Sequence, residues 1–123
     1  MTKDSLKDLD ARHLKFVKDR NWQQHQSPKN LVMALTAEVG ELVEHFQWLS
    51  REESWKVDGK KKEAVAEELA DVLIYLTRIS GELDIDLVAA AHEKCERNER
   101  KYPVEEFKGE YKRPHEYKDK DKY

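Results

Sequence analysis

Four carboxylates stand where an apolar helix face is expected. Glu38 and Glu41 lie in NLVMALTAEVGELVEHFQW, and Glu68 and Asp71 lie in AVAEELADVLIYLTRI. A spacing of three puts both members of a pair on one helix face, one turn apart. Each pair falls on or beside an apolar stripe: Leu31, Leu35, Glu38, Leu42 in one segment, Ala64, Glu68, Val72, Tyr75 in the other. Burying an unpaired carboxylate costs several kcal/mol or drives its pKa upward. Two converging pairs therefore call for a cation. Four oxygen donors with no Cys or His among them suit a hard divalent ion, Mg2+ or Mn2+, rather than Zn2+.

Glutamates at helical spacing are most often solvated, and Glu44, Glu63 and Glu67 are read that way. Two such motifs, each inside an apolar helix and joined by one connector, favour a site. Glu68 is preferred to Glu67 because it stands three residues from Asp71. Mg2+ keeps several of its waters and binds a few carboxylates together with substrate phosphates. A nucleoside triphosphate is the natural partner for such an unfilled site.

Aromatic residues flank the cluster. Trp22 lies in a polar loop, Trp48 closes the first acidic segment, and Tyr75 follows Asp71 by one turn. Aromatic faces stack on nucleobases at roughly 1–3 kcal/mol each. The competing reading makes the tryptophans core or subunit-interface residues and His13 a packed histidine. Lys94, Asn98, Arg100 and Lys101 are placed to meet phosphate or sugar, or simply to complement a helix C-terminus.

The elements that must position these groups are helical. Ser5 reads as the N-cap of a first helix ending near Asp19, with Leu6, Leu9, His13, Phe16 and Val17 as its stripe. Ser27 then Pro28 opens a second helix that the pattern carries to Trp48 or Leu49. Ser50 with Glu53 matches a capping box for one short turn. Trp55 to Lys62 reads as a connector, and a third helix spans about Lys61 to Glu82. Gly81 and Asp84 mark a corner. Asp86 caps a fourth helix that ends near Lys101, before Pro103. The expected fold is an all-α four-helix bundle over residues 1–103. Residues 104–123 form a charged, partly ordered or disordered tail.

Composition agrees with one small helical domain. The chain has 123 residues, 40% of them charged, with 4 Gly and 3 Pro. The formal net charge of -3 argues against a nucleic-acid partner. Cys95 is the only cysteine, which excludes an intrachain disulfide and a cysteine metal cluster and fits a reducing cytoplasm. The sequence shows no signal-peptide run and no membrane span, so the expectation is a soluble cytoplasmic protein with no membrane partner. Val43, Phe46, Ile74, Leu76 and Ile79 lie off the carboxylate face. They predict contact with another subunit, hence a homo-oligomer.

These segments together resemble the MazG-like all-α nucleoside triphosphate pyrophosphohydrolases, of the dCTP pyrophosphatase type. The anchors are RNWQQHQSPKNL, ALTAEVGELVEHFQW, EELADVLIYL and KCERNERKYP, across about Leu6 to Pro103. The family signature is ExxE followed after a connector by ExxD, and EVGE with ELAD matches it. The resemblance implies an intertwined helical oligomer, dimer or tetramer, dependent on Mg2+. It implies hydrolysis of a nucleoside triphosphate to the monophosphate and pyrophosphate, a house-cleaning role. It implies Glu38, Glu41, Glu68 and Asp71 as metal ligands. It implies His13, the loop Trp22, Gln23, Gln24, His25 and Gln26, then Trp48, Tyr75, Lys94 and Asn98 as substrate contacts. His25 and Gln26 depart from the animal dCTP pyrophosphatases, which arrange an aromatic and a histidine differently there. The short connector argues against the larger dimeric dUTPase relatives.

The mechanism expected is attack by water at the α-phosphorus, with Glu41 taking the water's proton. The alternative function is a non-catalytic, oligomeric helical interaction protein whose acidic pairs are surface features. A ferritin-like di-iron site is disfavoured, because neither acidic motif carries the Glu-x-x-His ligand spacing.

Overall fold

The computed structural model describes residues 5–109, and among them there are helices and turns but no strand. Contacts divide the chain into two units, with the boundary between Ile85 and Asp86. The first unit contains α1 (Leu6–Asp19), a 3-10 turn (Gln23–His25), α2 (Pro28–Glu44), α3 (Arg51–Ser54) and α4 (Gly59–Glu82). The second contains α5 (Leu87–Lys101) and α6 (Val104–Phe107).

Helix starts follow the caps in the sequence. The Ser5 hydroxyl accepts from the Asp8 amide at 3.0 Å, and the Ser27 hydroxyl accepts from the Asn30 amide at 3.2 Å with Pro28 in the first turn. Ser50 and Glu53 form the reciprocal capping box. The Asp86 carboxylate accepts from the Ala89 amide at 3.0 Å. Helix ends use left-handed residues. Asn21 (φ 56°) follows α1, and the Trp22 amide bonds back to the Val17 carbonyl. Asp84 (φ 54°) follows α4, and the Ile85 amide bonds back to Ser80. Both are Schellman closures with Asn or Asp at the position where glycine is commonest.

Two boundaries differ from the sequence pattern. The second helix stops at Glu44 rather than Trp48, with a turn at 45–48. The Phe46 and Gln47 amides bond to the Val43 carbonyl, so the chain coils on as a tightened turn and then leaves the axis. The third long helix starts at Gly59, inside the expected connector. Gly59 takes φ +56°, a turn that glycine makes at no steric cost. The segment after Pro103 also contains structure: α6, whose Phe107 meets Tyr102 edge-on at 5.5 Å. The rest of the expected tail, from residue 110, lies outside the described residues.

α4 packs most extensively on α2 and then on α1. The buried apolar core is small: Val17 and Leu31 are its fully buried hydrophobic members among the described residues. Arg78 of α4 is buried as well, its charge matched by Asp10 of α1 at 2.9 Å and by Glu82. Gly81 makes that pairing possible, because a Cβ there would collide with the Asp10 carboxylate.

Candidate metal and nucleotide site

α2 and α4 bring three of the four expected carboxylates together. Glu38, Glu41 and Glu68 each offer an oxygen, and these oxygens all lie within 4.8 Å of one another. Glu38 and Glu68 are half-buried and Glu41 is exposed. One oxygen of Glu38 (Oε2) and one of Glu68 (Oε2) are buried with no hydrogen-bond partner among the described residues. Burial, reinforced by the charges of Asp71 and Glu41, raises Glu38 to about 7. Glu68 is raised too, by burial first and then by its neighbour Glu41.

Asp71, the fourth expected ligand, is exposed on α4 one turn beyond Glu68. It stands outside the tightest trio, yet its charge contributes to the upward shifts of Glu38, Glu68 and Tyr75. Tyr75 is half-buried, and burial with the nearby Glu38 and Asp71 charges holds its phenol protonated. The donor set fits a hard divalent cation on an observation independent of spacing: two buried carboxylate oxygens have no hydrogen-bond partner among the described residues. A cation would satisfy them and offset the burial and repulsion that raise their pKa values.

A second group forms at the end of α1. His13 stacks on Phe16 (5.4 Å, 15°), and Trp22 meets the same ring edge-on (5.7 Å, 75°). The Arg20 guanidinium lies 3.6 Å above the ring and donates to the Phe16 carbonyl. Burial and the Arg78 charge lower the His13 pKa, with Asp10 opposing, so His13 is neutral at pH 7. Gln23, Gln24 and His25 are exposed in the 3-10 turn. Gln24 donates to the Asn21 carbonyl, and the His25 carbonyl accepts from Asn30. Gln26 buries Oε1 without a hydrogen-bond partner among the described residues.

Trp48 is 87% exposed. It lies beyond the end of α2 at Glu44, in the turn at 45–48. Lys94 and Asn98 are exposed one turn apart on α5, within the second unit. An added Cβ at Gly40, between the two glutamates of α2, would meet nothing within 4 Å, so packing within the chain does not require glycine there.

Four residues, His45, Phe16, Asp10 and Arg78, make contacts that escaped the sequence pattern. His45 Nε2 lies 4.0 Å from Glu68 Oε1. Its signal was present, since position 45 follows Glu41 by four and shares its face. Phe16 looked like a core residue but is the platform for His13 and Trp22. The Asp10–Arg78 pair joins residues far apart in sequence, and no local spacing announces it.

The profile of the MazG-like family matches residues 33–118. The chain is 40% identical over 109 residues to dCTP pyrophosphatase 1 of Rattus norvegicus, covering 85% of this chain. It is 40% identical over 104 residues to dCTP pyrophosphatase 1 of Homo sapiens, covering 81% of this chain. The chain spans 63% of the rat relative's length and 60% of the human one's. The crystal structure of a pyrophosphatase from Archaeoglobus fulgidus DSM 4304 superposes with a TM-score of 0.75 at 40% identity, covering 80% of this chain and 92% of that one.

Proposed function

The chain belongs to the MazG-like family, and from that premise we propose that it hydrolyses a nucleoside triphosphate, dCTP or a related deoxynucleotide, to the monophosphate and pyrophosphate. The role is nucleotide house-cleaning. The observation that carries this reading is the trio Glu38, Glu41 and Glu68, with its two buried oxygens that lack donors. The names of the rat, human and archaeal relatives point the same way.

Glu38, Glu41, Glu68 and Asp71 hold Mg2+, for which Mn2+ can substitute. When bound, the ion offsets phosphate charge and lowers the pKa of a ligated water. Glu41, the exposed member of the trio, accepts the proton of the water attacking the α-phosphorus. Tyr75 keeps its proton and contacts the substrate at the edge of the cluster. His13, neutral and stacked, has one ring nitrogen free to accept and one to donate toward a base. Trp22, Gln23, Gln24, His25, Gln26 and Trp48 enclose the base.

The same reading gives the chain the all-α pyrophosphohydrolase fold, completed by oligomerisation into a dimer or tetramer. An apolar groove of about 410 Å³, lined by Leu42, Val43, Phe46, Val65 and Leu69, supports it. So do the exposed Met33, Leu73 and Leu76. A second copy covering these surfaces would enlarge a core that is small within one chain. Among the described residues no helix is long and apolar enough to cross a membrane. A cytoplasmic location fits the lone cysteine, Cys95, and a reducing compartment.

The test is to incubate the protein with each nucleoside triphosphate and Mg2+ and identify the phosphate products. Monophosphate with pyrophosphate is expected. Diphosphate with orthophosphate as sole products would refute attack at the α-phosphorus. No turnover of any nucleotide would return the non-catalytic interaction protein.

A further inference from the structure

We propose that His45 is a positioning residue for the cation site: its imidazole N–H holds the Glu68 carboxylate in the orientation that receives the metal. The inference rests on the metal-site reading above. Glu38, Glu41 and His45 follow one another at spacings of three and four, so they share one face of α2 and its C-cap. Glu68 reaches the same place from α4. His45 Nε2 lies 4.0 Å from Glu68 Oε1, with the two side chains 28% and 18% exposed.

The two oxygens of Glu68 are in different situations. Oε1 is the one His45 approaches, whereas Oε2 is buried without a donor. A carboxylate in that setting divides its work, one oxygen to the metal and the other to a neighbouring N–H. A small torsion of either side chain, or one bridging water, converts the 4.0 Å approach into a hydrogen bond of about 3 Å. The contact of His45 with the cluster runs through Glu68, so its effect on the metal is indirect. Fixing the rotamer of a ligating carboxylate before the metal arrives removes an ordering cost from binding. Loss of such an outer partner typically lowers metal affinity 10- to 100-fold.

The role needs only a donor N–H of the right reach. It therefore separates two substitutions that a packing role would rank the other way. Leucine fills the half-buried space but donates nothing. Glutamine packs less well but keeps an N–H.

The experiment titrates Mn2+ into the nucleotide-free protein and reads free Mn2+ by electron paramagnetic resonance, for wild type, His45→Leu and His45→Gln. The expected result is a Kd raised about 10- to 100-fold in His45→Leu, with His45→Gln recovering most of the loss. Equal affinity in His45→Leu and wild type overturns the proposal and leaves the metal-site reading intact. Equal loss in both variants also overturns it, since that pattern reports shape rather than an N–H donor. A wild type that binds no Mn2+ overturns both readings at once.

Discussion

Glu38 on α2 and Glu68 on α4 place carboxylate oxygens within 4.8 Å of each other, and each keeps one buried oxygen without a hydrogen-bond partner among the described residues. Repulsion and desolvation make this arrangement unfavourable in the metal-free protein, so it stores a demand for a cation. Four expected outcomes follow from the surrounding structure.

Neutralising a ligand should separate activity from stability. Glu41→Gln and Asp71→Asn each remove a negative charge that neighbours feel. Steady-state turnover should fall more than about 100-fold, beyond the loss typical of outer-shell partners. The metal-free melting temperature should stay level or rise. Full activity in both variants would remove these residues from the site.

The stability of the metal-free protein should depend on pH with a sign opposite to that of most carboxylates. Glu38 has a folded pKa of about 7, above its ordinary value of 4.5. Between those values the folded state holds more protons than the unfolded state, so stability falls as pH rises through this window. Saturating Mg2+ should abolish the fall, because it binds the ionised form. Thermal melts with chelator or Mg2+ from pH 4.5 to 7.5 provide the check. A metal-free melting temperature that climbs across this range would contradict the assignment.

Trp48 should act on substrate affinity before chemistry. A stacking face is worth roughly 1–3 kcal/mol, so Trp48→Ala should raise KM about 5- to 150-fold while kcat changes less. With 87% of its surface exposed, Trp48 has room for a base or for a second copy of the chain. Kinetics that stay unchanged while sedimentation shows dissociation would make it an interface residue.

Gly81→Ala should destabilise the fold at a distance from the acidic cluster. The new methyl group would displace the Asp10 carboxylate from its 2.9 Å bond to buried Arg78. A weakened charged hydrogen bond of this kind costs about 1–3 kcal/mol, readable as a lower urea midpoint with an unchanged slope. An unaltered midpoint would show that Asp10 moves aside at no cost.

The sequence by itself determined what depends on local periodicity. The caps at Ser5, Ser27, Ser50 and Asp86 were legible because a cap is a contact within one turn. The acidic faces were legible because residues three apart must be neighbours on a helix. Glu38 and Glu41 therefore share a face in any fold that keeps α2. The end of α2 at Glu44 was not legible, because the apolar pattern runs on to Trp48 while the backbone tightens into a turn.

Only the tertiary structure decided what depends on the register of one helix against another. The packing of α4 on α2 selects Glu68 for the tight trio, leaves Asp71 one turn out and brings His45 Nε2 to 4.0 Å from Glu68 Oε1. The packing of α4 on α1 buries Arg78 against Asp10, a pairing no spacing rule reaches. These relationships join residues tens of positions apart in the chain, and side-chain interdigitation between helices sets them. Periodicity fixes which residues share a face; packing fixes which faces, and which atoms, meet.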